Sequence, residues 1–195
     1  MDLGGLAFPA VILLGVSSVT LFLSRNWRWR IGALALQYIG VFVLISLSWP
    51  TDLAAVKLVV GWMAGAILGV SRIDLVQEDV RRWPTERLYY IFVASMVFLT
   101  VATLAPTLVE WLPRIDINQA WGGLLLIGMG MIHMGFASRG LRVVISLLTF
   151  LSGFEILYAV VESSTLVTGL LAMVNLGVAI AGAYLMTDVS DEEVV

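Results

Sequence analysis

The sequence contains no cysteine, a single histidine and few charged residues, and each scarcity excludes a class of function. Without cysteine the chain forms no disulfide, iron–sulfur cluster or thiolate-bound metal site. With one histidine it cannot hold a haem between two histidines, and it has no P-loop motif for phosphate. We therefore expect no cofactor and no metal on this chain. Its net charge of −3, without a basic cluster, also argues against nucleic-acid binding.

Charged residues make up only 13% of the chain, whereas 60% of its 195 residues are apolar. Soluble domains contain roughly 25% charged residues, and a soluble fold of this size could not bury so much apolar surface. The apolar residues occur in runs near the ~20 residues that cross a bilayer as a helix, without the alternation of a barrel strand. The sequence thus predicts an all-α membrane protein.

Seven apolar segments are predicted to span the membrane. Short polar stretches separate them, and tryptophans, which favour the membrane interface, stand near many of their ends. Pro106 and Pro113 are expected to bracket the break that follows the fourth span. The predicted spans are 3–24, 31–49, 53–70, 88–106, 121–137, 143–162 and 165–186.

Arginines are concentrated in the odd-numbered connections between these spans. Nine of them lie there, whereas the even-numbered connections contain only Arg114. Because cytoplasmic loops are enriched in lysine and arginine, we expect the N-terminus outside and the C-terminus in the cytoplasm.

A shift of 114 residues aligns the chain with itself and indicates an internal repeat. Under this shift Arg28 matches Arg142 and Thr51 matches Thr165. The first three and last three spans would then form two parallel three-helix units, joined by a linking helix that returns the chain across the membrane. We expect an N-terminal unit with its cytoplasmic loop over 1–87, a linking helix and outer loop over 88–120, and a second unit with a short acidic tail over 121–195.

Five polar residues within or at the ends of the spans are candidates for an ion path, because charge inside a bilayer is costly and usually functional. The helical rise of about 1.5 Å per residue places Lys57, Glu155 and Asn175 in one layer of the outer half of the membrane. It places His133 in an inner layer. Glu155 is the strongest candidate, since it stands well inside an apolar run. The five candidates are Lys57, His133, Glu155, Glu162 and Asn175.

Each candidate also has a purely structural interpretation. Lys57 could extend to the outer headgroups, and Glu162 could simply mark the outer end of the sixth span. His133 and Asn175 could form hydrogen bonds that only hold neighbouring helices together.

Residues 122–186 resemble the small three-helix K-type subunit of respiratory complex I. The shared features are a basic turn over 138–142, then a helix that carries Glu155, then a third apolar helix. The seven-span layout, with Lys57 in the third span, resembles the E component of hydrogenase-4. In the K-type subunit, however, the glutamate lies nearer the basic turn, and a second glutamate usually stands in the third helix, where this chain offers Asn175.

The resemblance implies a non-redox integral subunit of a complex I-like assembly that translocates protons or sodium ions. Its partners would be antiporter-like and other membrane-arm subunits, within the lipid bilayer of a prokaryotic cytoplasmic membrane, and it would not be catalytic alone. Two other functions stay open. The chain could be a stand-alone secondary transporter, which parallel repeats also favour, or a scaffold or assembly subunit whose buried polar groups serve packing.

Overall fold

The computed structural model describes residues 4–24, 26–71, 84–137 and 140–192, with side chains described over 4–24, 26–71, 88–137 and 140–186. In these ranges all regular secondary structure is helical: a 3-10 turn at Gly4–Leu6 precedes seven α-helices. The predicted all-α fold is confirmed. The helices are α1 (Ala7–Leu23), α2 (Trp27–Ile45), α3 (Thr51–Val70), α4 (Pro84–Trp111), α5 (Ile117–Gly135), α6 (Gly140–Val161) and α7 (Thr165–Glu192).

Six of the helices in the described part of the chain are long and apolar enough to span a membrane. The exception is α5, whose 19 residues are long enough but include Asn118 and Gln119 in the first turn and His133 in the last. These polar residues lower the hydropathy of α5 at its two ends and leave an apolar middle. The fold is therefore compatible with an integral membrane protein.

Helices α2 and α5 each begin earlier than predicted, at Trp27 rather than 31 and at Ile117 rather than 121. The reason is a polar N-cap. The side chain of Asn26 accepts a hydrogen bond from a backbone N–H of α2. Asp116 and Gln119 form a reciprocal capping box at the start of α5, so this first turn is stable although it is polar.

The break after α4 also lies later than predicted. Pro106 stands inside the helix, which continues to Trp111, and Pro113 alone lies in the connection. A proline removes one backbone donor, but membrane helices tolerate this loss because neighbouring groups and local adjustment compensate for it. The interpretation of Pro106 as a boundary was therefore wrong.

The helices form two layers of three. In the first layer α2 packs between α1 and α3, and in the second α6 packs between α5 and α7. Across the layers α1 contacts α5, α2 contacts α6 and α3 contacts α7, while α4 packs on α5 and α1. Each helix of the first layer thus contacts the helix that would be its counterpart in an internal repeat, and the repeat itself stays a prediction.

Helices α5 and α6 pack at very short range because glycines face each other. A Cβ atom at Gly153 would lie 2.6 Å from the carbonyl oxygen of Gly123, and one at Gly130 would lie 2.7 Å from the backbone nitrogen of Phe150. Small residues allow two backbones to approach in a membrane, where close packing drives helix association. This contact fixes the position of α6, the helix that carries Glu155.

Candidate intramembrane ion-pair site

A buried salt bridge joins α3 to α6. The Nζ atom of Lys57 donates a hydrogen bond of 2.7 Å to Oε1 of Glu155, and the two side chains are 0% and 1% exposed. Lys57 lies six residues after the start of α3, and Glu155 lies six residues before the end of α6. Six residues correspond to about 9 Å of helix, so both charges lie well inside the protein.

Asn175 on α7 completes the contact. Its Nδ2 atom donates a hydrogen bond of 2.8 Å to the same oxygen, Oε1 of Glu155, and its side chain is buried. One carboxylate oxygen therefore accepts two hydrogen bonds from two different helices. One of the two is assisted by a full charge on the donor, which makes it the stronger bond.

The three residues lie on the buried stripes of their helices. On α3 the buried positions recur at helical spacing, and Lys57 takes one place in a stripe of otherwise apolar or small residues. On α6 the stripe around Glu155 is likewise composed mainly of apolar and small residues. The helical period therefore directs both charges into the protein, where among the described residues they pair with each other and Glu155 also accepts a hydrogen bond from Asn175. The buried positions of α3 are Ala54, Lys57, Val60, Gly61, Ala64, Gly65 and Leu68.

Tyr38 on α2 is a neighbour of this site that sequence reasoning missed. Its side chain is fully buried, and its ring lies directly against Gly61 of α3. Its hydroxyl lies beside Ser152 of α6 and in the electrostatic field of Glu155. In the sequence Tyr38 is one aromatic residue in an apolar run, which is typical of core packing. The only signal was indirect: a glycine one turn after Lys57, which leaves room for a large side chain.

His133 lies elsewhere, in the last turn of α5. Its imidazole is buried, contacts the edge of Phe22 at a centroid distance of 5.6 Å, and lies in the field of Arg30 and Arg142. The α6 segment that holds the salt bridge packs instead against the first half of α5, around Gly123. His133 is ten residues further along, which corresponds to about 15 Å of helix.

Glu162 also stands apart from the salt bridge. It lies one residue beyond α6, which ends at Val161, and its backbone N–H still donates a hydrogen bond of 3.1 Å to the carbonyl oxygen of Tyr158. The residue is exposed in the connection to α7, where its carboxylate accepts a hydrogen bond from the backbone N–H of Ser164. Its carbonyl oxygen accepts a hydrogen bond of 2.9 Å from the indole of Trp49.

The predicted repeat, with its shift of 114 residues, does not place a second copy of this site elsewhere in the described part of the chain. Lys57 comes from the first unit, and its two partners come from the second. Within the described residues the salt bridge is therefore asymmetric with respect to the two layers rather than one of a symmetric pair. The residues that correspond to Lys57, Glu155 and Asn175 under the shift are Leu171, Val41 and Gly61.

Among the described residues no group of three or more His, Asp or Glu side chains is placed to hold a metal ion. Comparison of the chain with family models, curated proteins and solved structures gives no match. The likeness to a complex I subunit and to hydrogenase-4 stays a prediction, and the Lys57–Glu155–Asn175 geometry is the basis for assigning a function.

Proposed function

We propose that this chain is a non-redox membrane subunit of a complex I-like assembly and contributes a buried polar site to its proton or sodium path. The observation that carries the proposal is the Lys57–Glu155 pair, held by Asn175 in the interior of the helices. A buried ion pair adds little to stability, because well-packed apolar residues often serve as well or better. Ionisable residues inside membrane helices typically mark ion pathways. The presence of this pair therefore favours transport over packing.

The pair can hold one proton in two places. When the proton moves from Nζ of Lys57 to Oε1 of Glu155, along the hydrogen bond of 2.7 Å, an ion pair becomes a neutral amine and a neutral carboxylic acid. A charge that arrives in a neighbouring subunit shifts the balance between these two states, since nearby charge favours or disfavours each ionised form. The site can therefore respond to its partners by shifting its proton between Lys57 and Glu155.

The test is the substitution Glu155→Gln in the whole assembly. Glutamine keeps the shape and the hydrogen-bond acceptor for Asn175, but it cannot titrate. We expect the assembly to form normally and its ion uptake in proteoliposomes, normalised to its content of this subunit, to fall to background. The matched control is Glu110→Gln, a chemically identical change at an exposed position near the end of α4, which should leave uptake unchanged. Wild-type uptake by the Glu155→Gln assembly would overturn the proposal and favour a scaffold role.

A stand-alone secondary transporter is a second candidate, and one observation favours it. The salt bridge joins the first layer of helices to the second, which would be the interface between the predicted repeats, and secondary transporters bind their substrates at such an interface. Gentle purification separates the two functions. Co-migration with large antiporter-like chains supports the subunit, whereas uptake by the isolated chain in proteoliposomes supports the transporter.

We further propose that the chain lies in a prokaryotic cytoplasmic membrane with its C-terminus inside. The nine arginines of the odd-numbered connections support this orientation. His133, in the last turn of α5, lies in the electrostatic field of Arg30 in the first turn of α2 and of Arg142 in the first turn of α6. The connections α1–α2 and α5–α6 therefore lie at the same end of the helices. That end would face the cytoplasm.

A further inference from the structure

Three buried oxygen atoms near the salt bridge have no hydrogen-bond partner among the described residues. They are the hydroxyl of Tyr38, Oε2 of Glu155 and Oδ1 of Asn175, on side chains that are each at most 1% exposed. Buried polar groups in native proteins almost always have a partner, either protein or ordered water. Glu155 and Asn175 are hydrogen-bonded to each other, and Tyr38 lies in the electrostatic field of Glu155, so the three atoms together point to a bound molecule.

Tyr38 is held in place from two sides. A Cβ atom at Gly61 would collide with its ring, so the absence of a side chain there leaves the space that the ring fills. Gly61 follows Lys57 by one turn, on the same side of α3. At the other end of the ring the hydroxyl lies beside Ser152, which precedes Glu155 by three residues on the same side of α6. The phenol thus lies between the segments of α3 and α6 that carry the salt bridge, in the electrostatic field of Glu155.

The hydrogen-bonding capacities of the three groups are complementary to those of one water molecule. Oε2 of Glu155 and Oδ1 of Asn175 only accept, so they cannot bond to each other, whereas the phenol can donate. The amide of Asn175 cannot be turned round without losing the hydrogen bond from Nδ2 to Glu155. A water molecule donates two hydrogen bonds and accepts two, so it can donate to both acceptors and accept from Tyr38.

A sodium ion would be a poorer occupant than water. Its ligands would be the same three oxygens, but the ammonium group of Lys57 lies 2.7 Å from the carboxylate and already balances its charge. A second cation at this place would be repelled by the first, and the repulsion is strong in a site without solvent.

We propose that Tyr38 is a fourth member of the site and that a bound water molecule joins its hydroxyl to Glu155 and Asn175. Tyr38 is a positioning residue: through the water it orients the carboxylate, with Oε1 toward Lys57 and Oε2 toward the water. The inference deepens the proposed ion path and rests on it for its meaning, but its test reads the hydrogen bonds themselves rather than transport.

The test is infrared spectroscopy of the full chain in lipid vesicles. The difference between the wild type and Glu155→Gln isolates the carboxylate bands of Glu155. We expect Tyr38→Phe, which removes only the hydroxyl, to shift those bands. We also expect a water stretching band that shifts on exchange into H2-18O and that is absent in Tyr38→Phe. The matched control is Tyr89→Phe, the same chemical change at an exposed position on α4, which should shift neither.

Glu155 bands that are identical in the wild type and in Tyr38→Phe would overturn the role of Tyr38. A shift of the water band that follows added sodium would overturn water as the occupant. If Tyr38→Phe does not accumulate, isotope-labelled tyrosine replaces it as the probe, and the phenol C–O band is compared between the wild type and Glu155→Gln. We expect this band to shift, and an unchanged band would refute the inference. Normal uptake by Glu155→Gln with shifted bands would instead refute the ion path and leave the water site in place.

Discussion

The Lys57–Glu155 salt bridge predicts strong energetic coupling between two residues that are 98 positions apart in the sequence. Three variants measure it: Lys57→Met, Glu155→Gln and the double substitution. Each single change keeps the approximate size of the side chain and removes one charge. The double change removes both charges, and the glutamine still offers an acceptor to Asn175.

The expected magnitude follows from the distance and the burial. Two unit charges 2.7 Å apart attract by about 6 kcal/mol at an effective dielectric constant of about 20. Most of this attraction is offset by the cost of removing both charges from water. Loss of one partner leaves the other charge buried, so each single variant should lose about 3–5 kcal/mol of unfolding free energy. The double variant has no uncompensated charge and should lose clearly less than the sum.

The assay is reversible unfolding of the full chain in detergent micelles by added dodecyl sulfate, followed by the fluorescence of its seven tryptophans. We expect a coupling energy of at least about 2 kcal/mol, within the range for residues in direct contact. Glu162→Gln, at an exposed position, serves as the control and should change stability by less than about 0.5 kcal/mol. If the unfolding free energies lost by the two single variants sum to that lost by the double variant within about 0.5 kcal/mol, the two side chains are not an ion pair and the reasoning is refuted.

Three further predictions concern packing and topology. Gly61→Ala should lower the unfolding free energy by about 1–3 kcal/mol, because the new methyl group overlaps the ring of Tyr38 on α2. Gly65→Ala is the control in the same unfolding assay and should lower it little, because the nearest neighbour of its methyl group would be 3.9 Å away. Gly153→Ala should separate α5 from α6 and lower the unfolding free energy at least as much as Gly61→Ala, because the nearest obstructing atoms belong to the backbone of α5. A loss of unfolding free energy no larger than that of Gly65→Ala would contradict this. Cysteine placed at Asp2 should react with an impermeant reagent in intact cells, and cysteine at Glu193 should not; labelling at Glu193 would refute the proposed orientation.

The number and type of the helices could be predicted from the sequence because hydropathy is a local property. An apolar run of the right length forms a helix in a membrane whatever its neighbours are, since every backbone group must be satisfied internally. The ends of the helices were predicted less well. The polar caps Asn26 and Asp116 extend α2 and α5 beyond their apolar runs, and Pro106 lies inside α4 rather than at its end.

The sequence by itself determined the depth of the polar residues, because each residue advances a helix by about 1.5 Å. It placed Lys57, Glu155 and Asn175 at similar depths, and on that basis it predicted a common layer. Only the tertiary structure decided which of these residues meet, because lateral contacts depend on how the helices pack. The glycine contact between α5 and α6 and the space that Gly61 leaves for Tyr38 are set by atoms distant in the chain, which no local periodicity encodes.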